Sequence, residues 1–139
     1  MTQTIFPMAN DHVAQRAVGT SVLRGFMERC PNCGKGRLFR AYLKVVDSCP
    51  VCGEDLHHQR ADDAPPYVTM LIVGHIVVAG VVAAEEVWPT APIWLGLIVW
   101  IWLTLVLSLL LLPRVKGALV GYQWALRMHG FGGPEKDAP

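Results

Sequence analysis

Two long stretches of this chain carry no charged side chain. Residues 64–84, between Asp63 and Glu85, make 21 positions without Asp, Glu, Lys or Arg. Residues 87–113, between Glu86 and Arg114, make 27 more. A helix crosses the hydrocarbon core of a bilayer with about 20 apolar residues, so each stretch is long enough to span. The pattern predicts membrane helices over 67–84 and 93–112. Burying such a pair in a soluble core would take a far larger protein around them. Between them, Trp88-Pro89-Thr90-Ala91-Pro92 reads as a short turn, with Trp88 and Trp94 suited to the outer interface. The fold class is a membrane α-helical hairpin of two transmembrane helices, preceded by a small N-terminal head.

The flanks carry weaker patterns. Val13, Ala17, Val18, Val22, Leu23 and Phe26 recur at helical spacing and predict a short amphipathic helix between Val13 and Glu28, on the membrane surface or against the head. Gly19 and Gly25 weaken it. Residues 38–46 are rich in aromatic and β-branched side chains, as strands are. Asp63 is a fitting N-cap for the first span, with prolines at the first helical positions. Pro113-Arg114-Val115-Lys116 is expected to stop the second span, and an interfacial helix anchored by Tyr122 and Trp124 to follow. The chain thus divides into a tail and short helix (1–28), a head (29–60), the hairpin (61–113), and an interfacial helix with a polar tail (114–139).

Composition agrees: hydrophobic residues make up 53% and charged residues only 17%, too apolar for one small soluble globule. The net charge of +1 conceals an asymmetry. Arg16, Arg24, Arg29, Lys35, Arg37, Arg40, Lys44 and Arg60 precede the first span, and Arg114, Lys116, Arg127 and Lys136 follow the second. The loop between the spans has only Glu85 and Glu86. By the positive-inside rule both termini and the head face the cytoplasm. The first residues lack a basic-then-apolar signal pattern, so no cleaved signal peptide is expected.

All four cysteines fall in two near-identical pieces, Cys30-Pro31-Asn32-Cys33-Gly34 and Cys49-Pro50-Val51-Cys52-Gly53. The spacing C-x2-C-x15-C-x2-C is that of a structural zinc site, each turn supplying half of a tetrahedron. Two disulfides are the competing reading, and a reducing cytoplasmic location argues against them. Zinc is the expected cofactor, with tetrathiolate iron the lesser alternative. So small a head buries little apolar surface, so metal ligation is expected to supply most of its folding free energy.

Few other residues could carry chemistry. His75 is the one ionisable side chain within a span, roughly 13 Å deep, near the bilayer centre. It reads as a heme or metal ligand or proton relay, or as a neutral imidazole bonded to the facing helix, with Thr104 or Ser108 in reach; the second reading is favoured. Asp62 and Asp63 could form a cation site at the membrane surface, though capping is favoured. His57 and His58 could be a spare metal pair, but four thiolates already complete a tetrahedron, which argues against it. Gly74, Ala79, Gly80 and Ala84 lighten one face of the first span for close helix packing. Trp100 and Trp102, mid-span, face lipid or dock a helix. No Ser–His–Asp order, H-E-x-x-H or phosphate-cradling glycine loop is present, and no small-molecule substrate is evident, which argues against an enzyme.

The run from Arg29 to Phe39, then Tyr42-Leu43-Lys44-Val45 and Cys49-Pro50-Val51-Cys52-Gly53, resembles the bacterial family called domain of unknown function 983. So does Ala61-Asp62-Asp63-Ala64-Pro65-Pro66-Tyr67, continuing into Ile72-Val73-Gly74-His75-Ile76-Val77. The resemblance covers about residues 24 to 128; Ala64 stands where members often have glycine. It implies a small inner-membrane protein with a zinc-ribbon-like head and no assigned activity. Genes of this family often lie among those for cytochrome c oxidase subunits and assembly factors, which implies a part in oxidase biogenesis. The reading is a non-enzymatic inner-membrane metal-ribbon protein whose transmembrane helices contact a membrane protein partner. The alternatives are a membrane-tethered ribbon binding nucleic acid or a cytoplasmic regulator, and a heme or metal carrier using His75. The basic residues of the head, which would favour nucleic acid, also serve membrane orientation, so nucleic acid is the weaker partner.

Overall fold

The computed structural model describes residues 16–60 and 63–131. The expected N-terminal tail, the start of the helix at Val13, the polar C-terminal tail and Asp62 lie outside the described residues. The elements are α1 (Val18–Phe26), a hairpin of β1 (Phe39–Ala41) and β2 (Lys44–Val45), then α2 (Ala64–Val87) and α3 (Ile93–Ala125). A 3-10 turn, Met128–Gly130, follows. β1 and β2 pair antiparallel, with Phe39 opposite Val45, and are the only strands among the described residues.

α2 and α3 are the two apolar helices, each long and apolar enough to cross a membrane. Their apolar windows are almost bare: 11% of that of α2 is buried within the protein and none of that of α3. A soluble core helix would be covered, so these surfaces fit hydrocarbon rather than water. The two run antiparallel, joined by a turn in which Ala91 N–H donates to the Trp88 carbonyl. Gly80 admits the ring of Trp100: a Cβ there would come within 2.7 Å of it. The small residue on the first span thus faces the second span, and Trp100 is the aromatic that fills the gap. Trp102 remains exposed.

Asp63 occupies the N-cap position of α2, yet its side chain makes no capping hydrogen bond. The reason lies in the next residues. An N-cap side chain accepts from the second or third helical N–H, and Pro65 and Pro66 supply neither. The capping expectation fails on the same prolines that mark the helix start.

Pro113 does not end the helix of the second span. α3 continues through it for 33 residues, about 50 Å, far more than the hydrocarbon thickness. Proline removes the donor to the carbonyl four residues back, here Leu109, and the hydroxyl of Tyr42 at the hairpin tip donates to that carbonyl at 2.9 Å. The expected separate interfacial helix is instead the last third of α3, and it is the buried third. Val115, Gly117, Val120, Gly121, Trp124 and Ala125 all lie inside.

What buries them is the head. α1 crosses α3 with backbones nearly touching: a Cβ on Gly25 would strike the Gly117 carbonyl, and one on Gly121 the Ser21 carbonyl. The glycine that weakens α1 as an isolated helix is the one that permits this crossing. On the other side, Cys30, Leu38, Cys49 and Leu56 of the head share one core with Val120, Trp124, Ala125 and Phe131. Trp124 is therefore a core residue rather than an interfacial anchor, while Tyr122 is exposed. The head does not stand on metal alone; α3 supplies Val120, Trp124 and Ala125 to its apolar core, and Phe131 follows from the segment after it.

A four-cysteine centre clamped to the second span

Each Cys-Pro-x-Cys-Gly turn closes in the same way. Gly34 N–H donates to the Cys30 carbonyl at 2.8 Å, and Gly53 N–H to the Cys49 carbonyl at 2.9 Å. Both glycines take left-handed backbone, with φ of 69° and 75°, which a side chain would strain. The first turn is bracketed by a bridge between Arg29 and Arg37, the second by one between Ser48 and Asp55. The duplication seen in the sequence is thus a duplication of structure.

The turns bring Cys30, Cys33, Cys49 and Cys52 together, with all four sulfurs within 4.8 Å of one another. Cys30 and Cys52 are 3.7 Å apart, Cys33 and Cys49 3.8 Å. A tetrahedron of metal–sulfur bonds of about 2.3 Å has edges of about 3.8 Å, so the spacing fits one tetrahedral ion. Disulfides would need about 2.05 Å. Gly36 has no side chain because the Cys49 sulfur occupies the place of its Cβ. The donor set can hold a metal ion.

The sulfurs are not equivalent. Backbone N–H groups of Gly36 and Lys35 point at Cys33 Sγ from 3.5 and 3.4 Å and hold its thiol down at about 6. Burial pushes the thiols of Cys30 and Cys52 up. A cation at the centre would offset that burial and draw all four toward thiolate. Asn32 Nδ2 contributes a long 3.7 Å contact to Cys52 Sγ.

Side chains from both partners tie the centre to α3 and α1. Glu54, immediately after the second turn, accepts from Trp124 Nε1 at 2.9 Å and from Asn32 Nδ2 at 3.2 Å. Arg16 lies 4.0 Å over the Trp124 ring, donates to the Trp124 carbonyl at 2.7 Å, and approaches Glu54 at 3.9 Å. Gln123 exchanges two hydrogen bonds with the backbone of Arg60, at 3.1 and 3.0 Å. Lys116 Nζ donates to the Leu43 carbonyl at 2.8 Å. Arg24 of α1 donates to the carbonyls of Pro31 and Asn32 on the first turn.

The other named residues stand apart from this centre. His75 is exposed on α2, and its Nδ1 is 2.7 Å from the Leu71 carbonyl of the same helix. The expected bond to the facing helix is not made; Thr104 too bonds within its own helix, donating to the Trp100 carbonyl. Asp63 is at the head of α2 without a capping bond, and its neighbour Asp62 is outside the described residues. His57 and His58 do not join the four sulfurs but gather with Asp55.

Residues 39–124 match the family described as "Protein of unknown function (DUF983)", and with more than half its length covered the chain belongs to that family. No curated protein and no solved structure matches it.

Proposed function

We propose that this DUF983 protein is a non-enzymatic, membrane-anchored zinc-ribbon adaptor that works by contact with other membrane proteins. The observation that carries the reading is the clamp between head and helix: Trp124 to Glu54, Lys116 to Leu43, Gln123 to Arg60 and Tyr42 to Leu109. A ribbon joined to its anchor at that many points presents one surface in one orientation at the membrane, which suits docking rather than roaming capture of a ligand. Four thiolates fill a zinc tetrahedron and leave no position for a substrate. The charge-free spans and the acidic loop support a bacterial inner-membrane setting with the head in the cytoplasm. Elemental analysis of the purified protein should return about one zinc per chain bound by the four cysteines, and a reporter fused after Glu86 should be translocated. Co-purification from native membranes should recover a discrete membrane partner, and recovery of none would count against the adaptor role.

The finer reading, a part in assembling a respiratory complex such as cytochrome c oxidase, comes from the family resemblance. Deleting the gene and measuring heme and copper in the oxidase tests it. Unaltered content rejects that role and leaves the adaptor reading standing.

A further inference from the structure

We propose that Asp55, His57 and His58 form a second metal site, which binds a divalent transition-metal ion of the zinc type exchangeably and independently of the four cysteines. One donor atom from each residue lies within 4.8 Å of the other two. The chain that carries them is fixed. Asp55 pairs with Ser48, and the N–H groups of Leu56 and His57 both donate to the Asp47 carbonyl, at 2.8 and 3.1 Å. Leu56, between the donors, is fully buried and anchors the turn in the core. His58 is half-buried, edge-on to Phe131 with ring centroids 5.9 Å apart, and it packs where Gly130 leaves room: a Cβ there would come within 2.9 Å of its Nδ1. The two imidazoles lie 3.9 Å apart.

Bonds of about 2.0 Å to a tetrahedral ion put donors about 3.3 Å apart. Small rotations of Asp55 and His57, both exposed, bring the donors to that spacing around the fixed His58. Two imidazoles and one carboxylate suit zinc and its neighbours rather than calcium or magnesium, which prefer oxygen. Three protein donors leave a fourth position for water or a donor from a partner. The two centres therefore differ in kind. The four-sulfur site is closed and half in the core, whereas this one is open and faces solvent.

The test is zinc titration of the full-length protein in detergent. The wild type should bind two equivalents, one retained against a weak chelator and one removed by it. The double variant Asp55→Asn, His57→Gln changes only exposed side chains; it should keep the retained equivalent and bind the second at least tenfold more weakly. In the wild type, the ring resonances of His57 and His58 should shift with the second equivalent while those of His75 stay. A single equivalent in the wild type, a second equivalent unchanged in the double variant, or unshifted His57 and His58 resonances each overturns the proposal. Because the equivalents are counted separately, loss of the cysteine site would register as loss of the retained one.

Discussion

The hydroxyl of Tyr42 donates to the carbonyl of Leu109 at 2.9 Å, and Leu109 is the residue whose helical partner Pro113 removes. A proline within a membrane helix is tolerated when something else satisfies the freed carbonyl. Here the donor comes from the tip of the metal head, so the contact that satisfies the proline's orphan carbonyl is also one of those that seat the head on α3. Tyr42→Phe should lower thermal stability in detergent by about 1 kcal/mol. In a Pro113→Ala background the Leu109 carbonyl regains its N–H, and the same Tyr42 substitution should then cost almost nothing. Equal costs in both backgrounds would show that the hydroxyl does not serve the proline.

Gly19 and Gly25 lie in the same short helix with opposite roles. A Cβ on Gly19 meets nothing within 4 Å, whereas one on Gly25 runs into the backbone of Gly117. Gly19→Ala should be neutral or stabilise by up to about 1 kcal/mol, through helix propensity. Gly25→Ala or Gly117→Ala should cost about 1–3 kcal/mol, because backbone cannot yield as a side-chain tip can. Melting curves of the three variants decide; a tolerated Gly25→Ala would mean that α1 does not cross α3 at this point.

Glu54 meets both metal turns and α3. Its oxygens accept from Trp124 Nε1 and from Asn32, with Arg16 close by. Truncation to Ala leaves the buried Trp124 N–H without its acceptor, at a cost of about 1–3 kcal/mol. Gln keeps an acceptor oxygen and should recover most of that loss. With Trp88, Trp94, Trp100 and Trp102 replaced by Phe, Trp124 fluorescence should report the change: red-shifted in Glu54→Ala as the indole meets water, near the parent in Glu54→Gln. Indistinguishable spectra in all three proteins would remove Glu54 from the clamp.

The spans and the cysteine quartet were legible because each is written in one local stretch, a charge-free run or a repeated turn. Their mutual arrangement was not, because its determinants lie far apart. Pro113 looks like a stop until Tyr42, 71 positions earlier, is seen to supply the missing donor. Gly25 looks like a weak helix residue until Gly117 is set against it. Trp124 has the composition of an interfacial anchor, and only Glu54 reveals it as core. The failure of Asp63 to cap was different, since Pro65 and Pro66 stood in plain view. An aspartate before a helix caps it only where the second or third helical residue carries an N–H, and two prolines remove both.

Acid should empty the four-cysteine centre, and the direction follows from Cys33. Its thiol is lowered to about 6 by the N–H groups of Gly36 and Lys35, below the usual thiol value of about 8.5. A lowered thiol contributes stability that is complete above the unfolded value and is lost as pH falls through about 6. Metal ligation runs the same way, because each sulfur must shed its proton to bind. Metal content after dialysis against a chelator should therefore be full at a pH of about 8 and decline as the pH drops below about 6. Gly36→Ala, whose new Cβ would displace the Cys49 sulfur, should move that loss to higher pH. Once the metal is lost the near-ultraviolet signal of Trp124 should fade, since Glu54 belongs to the second turn, while far-ultraviolet helix content from α2 and α3 persists. Metal retained unchanged in acid, in the wild type and in Gly36→Ala alike, would contradict ligation by these four thiolates.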